Sequence, residues 1–215
     1  MSEDEGSAGM RLNELLSKAG LAPLDKELAG RFEEYFSLFV RWNTRINLTS
    51  VRGEEDVLSR HFVESIACAR ALPEGISTLL DFGSGGGFPG IPIALCRPEI
   101  VVTLAESQGK KAAFLREALR ALGISANVHG QRAELLATRF DCVTLRAVDR
   151  MAEAVGAAAG LVAPGGWLAL MTTRRDAIGL QTVAGAGFSW SGVVQLPFGE
   201  ERVLALGKLG ASSPA

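Results

Sequence analysis

Apolar residues in the first third of the chain recur every three or four positions. Between residues 24 and 42, Leu28, Phe32, Phe36, Phe39 and Val40 share one side of a 3.6-residue period, which predicts an amphipathic helix packed on another element. A second helix is predicted over 54–72. Glu54, Glu55 and Asp56 open it, where the helix dipole favours negative charge, and Pro73-Glu74-Gly75 stops it. Residues 10–73 therefore read as an N-terminal helical cap. The acidic stretch 1–9 ahead of it is too polar to pack and is expected to be disordered.

After Gly75 the rhythm changes to short apolar runs that alternate with helical stretches. Strands are predicted at 78–82, 101–105, 126–129, 142–147 and 167–171, followed in turn by helices at 89–96, 110–122, 134–138, 152–161 and 176–184. Apolar runs this short, separated by helices, describe a mostly parallel sheet covered on both faces, so the predicted class is α/β, doubly wound. The last two strands, 192–196 and 202–206, are separated only by Pro197-Phe198-Gly199-Glu200-Glu201, too short for a crossover helix, and are predicted to pair as an antiparallel hairpin. The sheet domain spans 74–209, and 210–215 is expected to be a disordered tail.

Composition narrows the picture. A chain of 215 residues and 22.7 kDa holds one full domain with a modest appendage, and 47% hydrophobic residues against 21% charged exclude a disordered chain. The apolar runs 161–163 and 167–171 are cut by Pro or Gly far short of the ~20 residues a bilayer span needs, so no membrane segment is expected. The acidic N-terminus is the opposite of a secretory signal, which places the chain in the cytoplasm. Cys68, Cys96 and Cys142 are odd in number and widely spaced, and read as reduced core residues with no metal site. With 22 basic against 24 acidic side chains there is no global attraction to nucleic acid, but seventeen of the 22 are arginine, suited to local phosphate or base contacts.

The strongest local signal is Leu79-Leu80-Asp81-Phe82-Gly83-Ser84-Gly85-Gly86-Gly87-Phe88-Pro89-Gly90, a strand that enters a glycine-dense turn and then a helix. Five glycines in eight positions carry a large entropy cost unless a ligand must approach the backbone closely, so the turn reads as a cofactor cradle. Gly85, Gly87 and Gly90 also satisfy the dinucleotide spacing, and Glu106, just past the next strand, suits a ribose diol in either case. The placement of Asp81 and Gly83 and the terminal hairpin resemble the class I methyltransferase fold instead, whose donor is S-adenosylmethionine. Glu106 has a plainer alternative as the cap of the next helix; Asp81 could orient loop amides, sit near the donor's ammonium, or only close the turn.

Arg146 ends an apolar strand on the same sheet edge, where a charge needs either an ion-pair partner or a ligand in the cleft. Arg132 and Glu134 follow the third strand, where an adenine would lie in this fold, or simply begin a solvated helix. Lys110 and Lys111 open a helix against its dipole, hinting at an anion or merely solvated. The segment 41–50, with Trp42, Arg41, Arg45, Asn43 and Asn47, suits either nucleotide contacts or a buried loop anchor. His61 reads as a packing residue, and His129 has no evident partner. No Asn-Pro-Pro-Tyr-like tetrapeptide follows the fourth strand and Cys142 lies inside it, so a target with a free lone pair fits best; guanine N7 is one, needing no general base.

Taken together, Trp42-Asn43, Asn47-Leu48-Thr49-Ser50, Arg60-His61, Glu64-Ser65, Asp81-Phe82-Gly83-Ser84-Gly85, Phe88-Pro89-Gly90-Ile91-Pro92, Gly109-Lys110-Lys111, Phe114-Leu115-Arg116 and Arg146-Ala147 resemble, in order and spacing, the RsmG (GidB) family of small-subunit rRNA guanine-N7 methyltransferases. The resemblance runs from Leu12 to Lys208. It implies a seven-stranded Rossmann-like methyltransferase sheet, S-adenosylmethionine as donor, and small-subunit ribosomal RNA or a ribosomal particle as partner, with the enzyme a cytoplasmic monomer away from membranes. Matching positions imply cofactor contacts from Gly83, Phe88, Glu106, Ala133, Glu134 and Arg146; Asp81 and Gly85 are added from the loop, and Arg146 and Arg132 are the expected catalytic pair. Gly83-Ser84-Gly85-Gly86-Gly87 departs from the family's Gly-x-Gly-Pro-Gly. Thr172-Thr173-Arg174-Arg175 replaces a Lys-Gly pair, which passes a basic contact to Arg174.

Overall fold

The computed structural model describes residues 6–148 and 150–211. Strands β1 (Thr78–Phe82), β2 (Val101–Ala105), β3 (Asn127–His129), β4 (Phe140–Arg146), β5 (Val162–Thr173), β6 (Phe188–Gln195) and β7 (Arg202–Leu209) form one sheet in the order β3-β2-β1-β4-β5-β7-β6. The pairs β1–β2, β1–β4, β2–β3 and β4–β5 are parallel, whereas β7 runs antiparallel to both β5 and β6. The predicted hairpin is present, with its second strand inserted beside β5. The strand order reverses at β1 and β4, the switch point where open α/β sheets leave a crevice at their carboxyl ends.

Alternation along each strand sorts side chains to the two faces. Leu79 and Cys142 enter one core, while their neighbours Leu80 and Val143 enter the other. The first core lies under α1 (Ala8–Lys18), α2 (Lys26–Ile46), α3 (Glu54–Val57), α4 (Glu64–Ala71), α5 (Gly90–Cys96) and α6 (Gly109–Ala121). The second lies under α7 (Met151–Ala159) and α8 (Arg174–Ala184). The helical cap thus shares one core with the sheet.

Several boundaries move, each for a local reason. The α2 helix runs on to Ile46 because Asn47, at φ 50°, supplies the left-handed cap. Ser7 caps α1 by accepting the Met10 N–H at 3.3 Å, so Ala8 and Gly9 are helical where disorder was expected; residues 1–5 lie outside the described residues. At the other end the Gly210 N–H donates to the Gly187 carbonyl at 3.0 Å, and 212–215 lie outside the described residues. The helix expected at 134–138 is only a 3₁₀ turn, Ala133–Leu135, too short to nucleate an α-helix. The β6 strand begins at Phe188, ahead of the predicted 192, because Trp190 packs across Gly207, where a Cβ would stand 2.8 Å from the indole. The second cap helix is one continuous run, 54–71, with a π-helical centre at Leu58–Val63 that carries Arg60 and His61.

An aromatic cluster joins cap to sheet. Phe62 packs 5.1 Å from Tyr35 and 5.0 Å from Phe88, and Phe39 lies 5.4 Å from Phe88. The Tyr35 hydroxyl donates to the Gly86 carbonyl at 2.6 Å, so a cap helix is bonded directly to the glycine turn.

Candidate active site

The glycine turn leaves β1 at the switch point. The Gly83 and Ser84 N–H groups both donate to the Ala105 carbonyl at 3.0 Å, which stitches the turn to the end of β2. Two jobs divide its glycines. Gly85, at φ 54°, has open space in front of it, its nearest neighbour being the Gly83 carbonyl at 3.9 Å from an added Cβ. Gly86, Gly87 and Gly90 are needed for packing instead: a Cβ there would meet Phe39 at 2.8 Å, the Tyr35 hydroxyl at 2.6 Å and Asp81 Oδ2 at 2.6 Å.

Glu106 is buried just past the end of β2 and lines the crevice. Its Oε2 accepts the Gly85 N–H at 3.0 Å and its Oε1 the Gln108 N–H at 2.7 Å. It therefore braces the turn and ties down the residue that precedes α6, without capping the helix itself. Each carboxylate oxygen keeps a lone pair for a further donor, such as a ribose hydroxyl.

Asp81 departs from expectation. Among the described residues it does not line the crevice; it lies beneath the turn, 1% exposed, where Oδ2 accepts the Gly90 N–H at 3.0 Å and Oδ1 the Thr144 hydroxyl at 3.1 Å. Burial raises its carboxyl to about 6 despite those donors. Its part is to fix the turn from below, and the residue type alone could not separate this from a direct ligand contact.

The crevice encloses about 870 Å³, ample for a nucleoside-sized ligand. Gly83, Gly85, Phe88, Glu106, Arg132, Ala133, Glu134 and Arg146 all line it, brought together from the ends of β1, β2, β3 and β4. Leu48 to Val51 form one wall, with Thr49 anchored by an N–H bond to Asn43 Oδ1 at 3.0 Å. Trp42 turns away and packs on Phe114 at 5.8 Å. Lys111 reaches the crevice, but Arg174 does not line it: its guanidinium donates to Gln195 Oε1 at 2.7 Å, and Thr172 and Thr173 stand at the rim instead. His129 finds the Arg132 carbonyl at 3.2 Å.

Arg146 answers both of its possible descriptions. It lines the crevice, and its Nη2 meets the Arg60 carbonyl at 2.5 Å and Glu64 Oε2 at 3.3 Å. Glu64, 1% exposed, also stands 2.6 Å from Arg202, the first residue of β7. Burial outweighs both guanidiniums and pushes the Glu64 carboxyl above its ordinary range. Arg202 carried no sequence signal beyond a charge at a strand start; Glu64 stood among the motifs of the family resemblance, with no role attached to it.

His61 stacks on Phe88 at 5.1 Å, with Nε2 2.6 Å from the Thr49 hydroxyl. Burial, then the charges of Arg146, Arg60 and Arg202, drop it to about 3, so it stays neutral at pH 7.

The surroundings fit an adenosyl sulfonium donor: an open glycine turn for close approach, a buried carboxylate with spare lone pairs, and a crevice of sufficient volume. No helix among the described residues is long and apolar enough to cross a membrane.

Comparison with known proteins agrees. The profile of the family described as rRNA small subunit methyltransferase G (GidB) matches residues 29–194. The chain is 44% identical over 151 residues to the ribosomal RNA small subunit methyltransferase G of Xanthomonas euvesicatoria, covering 69% of this chain and 70% of the relative, and equally so to that of Stenotrophomonas maltophilia. Among solved structures, a methyltransferase from Pyrococcus furiosus superposes with a TM-score of 0.58 at 14% identity, over 83% of this chain and 98% of that one, which supports the Rossmann-like methyltransferase fold. The chain thus belongs to the rRNA small subunit methyltransferase G family.

Proposed function

We propose that the protein transfers the methyl group of S-adenosylmethionine to N7 of a guanine in small-subunit ribosomal RNA, working as a cytoplasmic monomer. When bound, the donor supplies a sulfonium-activated methyl group. The chain supplies position and exclusion of water. Gly85 lets the donor approach the backbone, Gly83 lines the crevice beside it, and Glu106 accepts the donor's ribose hydroxyls while bracing the turn. Ala133 and Glu134 flank the adenine side, and Phe88, backed by the aromatic cluster, closes the floor. Arg146 and Arg132 face the target nucleotide, and the cap helices of residues 10–73 help to dock the RNA.

The family match over residues 29–194 carries the reading, and N7 is the target that the family resemblance implies. His61, the imidazole at the crevice, lies 2.6 Å from the Thr49 hydroxyl, and burial lowers its pKa to about 3, so it is neutral at pH 7. N7 bears a lone pair and no proton, so positioning and desolvation suffice for in-line displacement. Labelled methyl transfer to purified small ribosomal subunits, and not to small metabolites, tests the reading; folded Arg146→Ala is expected to lose transfer.

A further inference from the structure

Two guanidiniums share one buried carboxylate at the crevice floor. Glu64 Oε2 is 3.3 Å from Arg146 Nη2, and Oε1 is 2.6 Å from Arg202 Nη2, off the N–H axis. The three residues come from α4, the end of β4 and the start of β7, so only the closed fold assembles them. Two cations against one anion leave one positive charge in excess in a poorly solvated place. Arg146 spends Nη2 on Glu64 and on the Arg60 carbonyl, and Arg202 Nε is buried without a hydrogen-bond partner. A triad built only for stability would satisfy its donors and need not open onto a cavity. This one does neither, since all three residues line the crevice.

We propose that Glu64 is a positioning residue that presents Arg146 and Arg202 as a paired-guanidinium seat for one oxyanion, the donor's carboxylate or an RNA phosphodiester. The planar fork of each guanidinium suits a bidentate oxyanion, and the incoming negative charge neutralises the excess. Holding two like charges side by side without the anion requires the carboxylate between them. The inference rests on the proposed methyl-transfer reading.

Arg202→Gln, checked for folding by circular dichroism, is titrated with three ligands: S-adenosylhomocysteine, which carries the carboxylate; methylthioadenosine, which lacks it; and a small-subunit rRNA fragment. A carboxylate seat predicts at least tenfold weaker binding of S-adenosylhomocysteine with methylthioadenosine unchanged. A phosphodiester seat predicts unchanged nucleosides and at least fivefold weaker RNA binding, with the slope of log affinity against log salt flattened by about 0.7–0.9. Parent-like affinity for all three ligands overturns the seat. Glu64→Gln then separates positioning from charge balance, because it adds positive charge to the site while releasing both guanidiniums. Positioning predicts weaker binding of the same anion; tighter binding would overturn it. Should that variant fail to fold, Glu64→Asp, one carbon too short to span both arginines, is expected to show the same weakening, and parent-like binding there counts against the role. A parent protein that methylates subunits while Arg202→Gln binds normally refutes the seat alone. One that transfers nothing to RNA refutes the reading beneath it.

Discussion

The Glu64 carboxylate stands 2.6 Å from the Arg202 guanidinium, so the last helix of the cap is tied across the crevice to the strand inserted beside β5. With Arg146 on its other oxygen, Glu64 is a counter-charge shared by two largely buried cations, their side chains 12% and 22% exposed. Removing one member of such a group leaves uncompensated charge. Glu64→Ala is expected to lower unfolding free energy by about 3–5 kcal/mol in urea melts at pH 7.5. A loss under about 1 kcal/mol would mean that the arginines find water instead.

Glu106 acts through two backbone N–H groups, one on the glycine turn and one at the start of α6. Glu106→Ala removes both acceptors and, with them, the lone pairs proposed to receive the donor's ribose hydroxyls. Calorimetric affinity for S-adenosylhomocysteine is expected to fall at least tenfold, and an unchanged affinity would take Glu106 out of the site.

The Tyr35 hydroxyl is buried and its partner, the Gly86 carbonyl, lies in the turn. Tyr35→Phe leaves that carbonyl unpaired, at a cost of about 1–3 kcal/mol, and frees the turn to move. The expected signature is a raised KM for the donor with kcat changed less than twofold. A fall in kcat at constant KM would contradict a role in shaping the donor site.

Much of this was legible beforehand. The two periodicities placed the cap and the parallel strands, and the glycine-dense run located the crevice, because these signals are local and repeat. Long-range pairing was not. Nothing in the sequence around Arg202 says that it closes on Glu64, and of the glycines assigned to ligand approach Gly85 keeps open space in front of it, whereas Gly86, which also lines the crevice, Gly87 and Gly90 make room for Phe39, Tyr35 and Asp81. Asp81 illustrates the same limit: a carboxylate beside a turn faces the ligand or the turn's underside, and only the closed sheet decides which.

His61 and Asp81 pull the pH dependence of stability in opposite directions. His61 falls from 6.5 to about 3 on folding, so its penalty is absent above pH 6.5 and grows as the pH drops toward 3. Between pH 7.5 and 5 it is expected to remove about 2 kcal/mol of stability. Asp81, raised from 3.8 to about 6, contributes stability that is full below 3.8 and lost as the pH rises through 6. Melts of His61→Gln should lose the acid-side penalty and become more stable at pH 5 relative to pH 7.5 than the parent; the same pH slope in both proteins would show that His61 does not stay neutral in the folded state.

Chemical mapping of the product tests the account most directly. Small ribosomal subunits are incubated with the protein and S-adenosylmethionine, the rRNA is reduced with borohydride and cleaved with aniline, which breaks the chain at N7-methylguanine, and the fragments are sized. One new cleavage at a single guanine, absent without the methyl donor, is the predicted result. Methyl incorporation without cleavage, or none into rRNA, would contradict it.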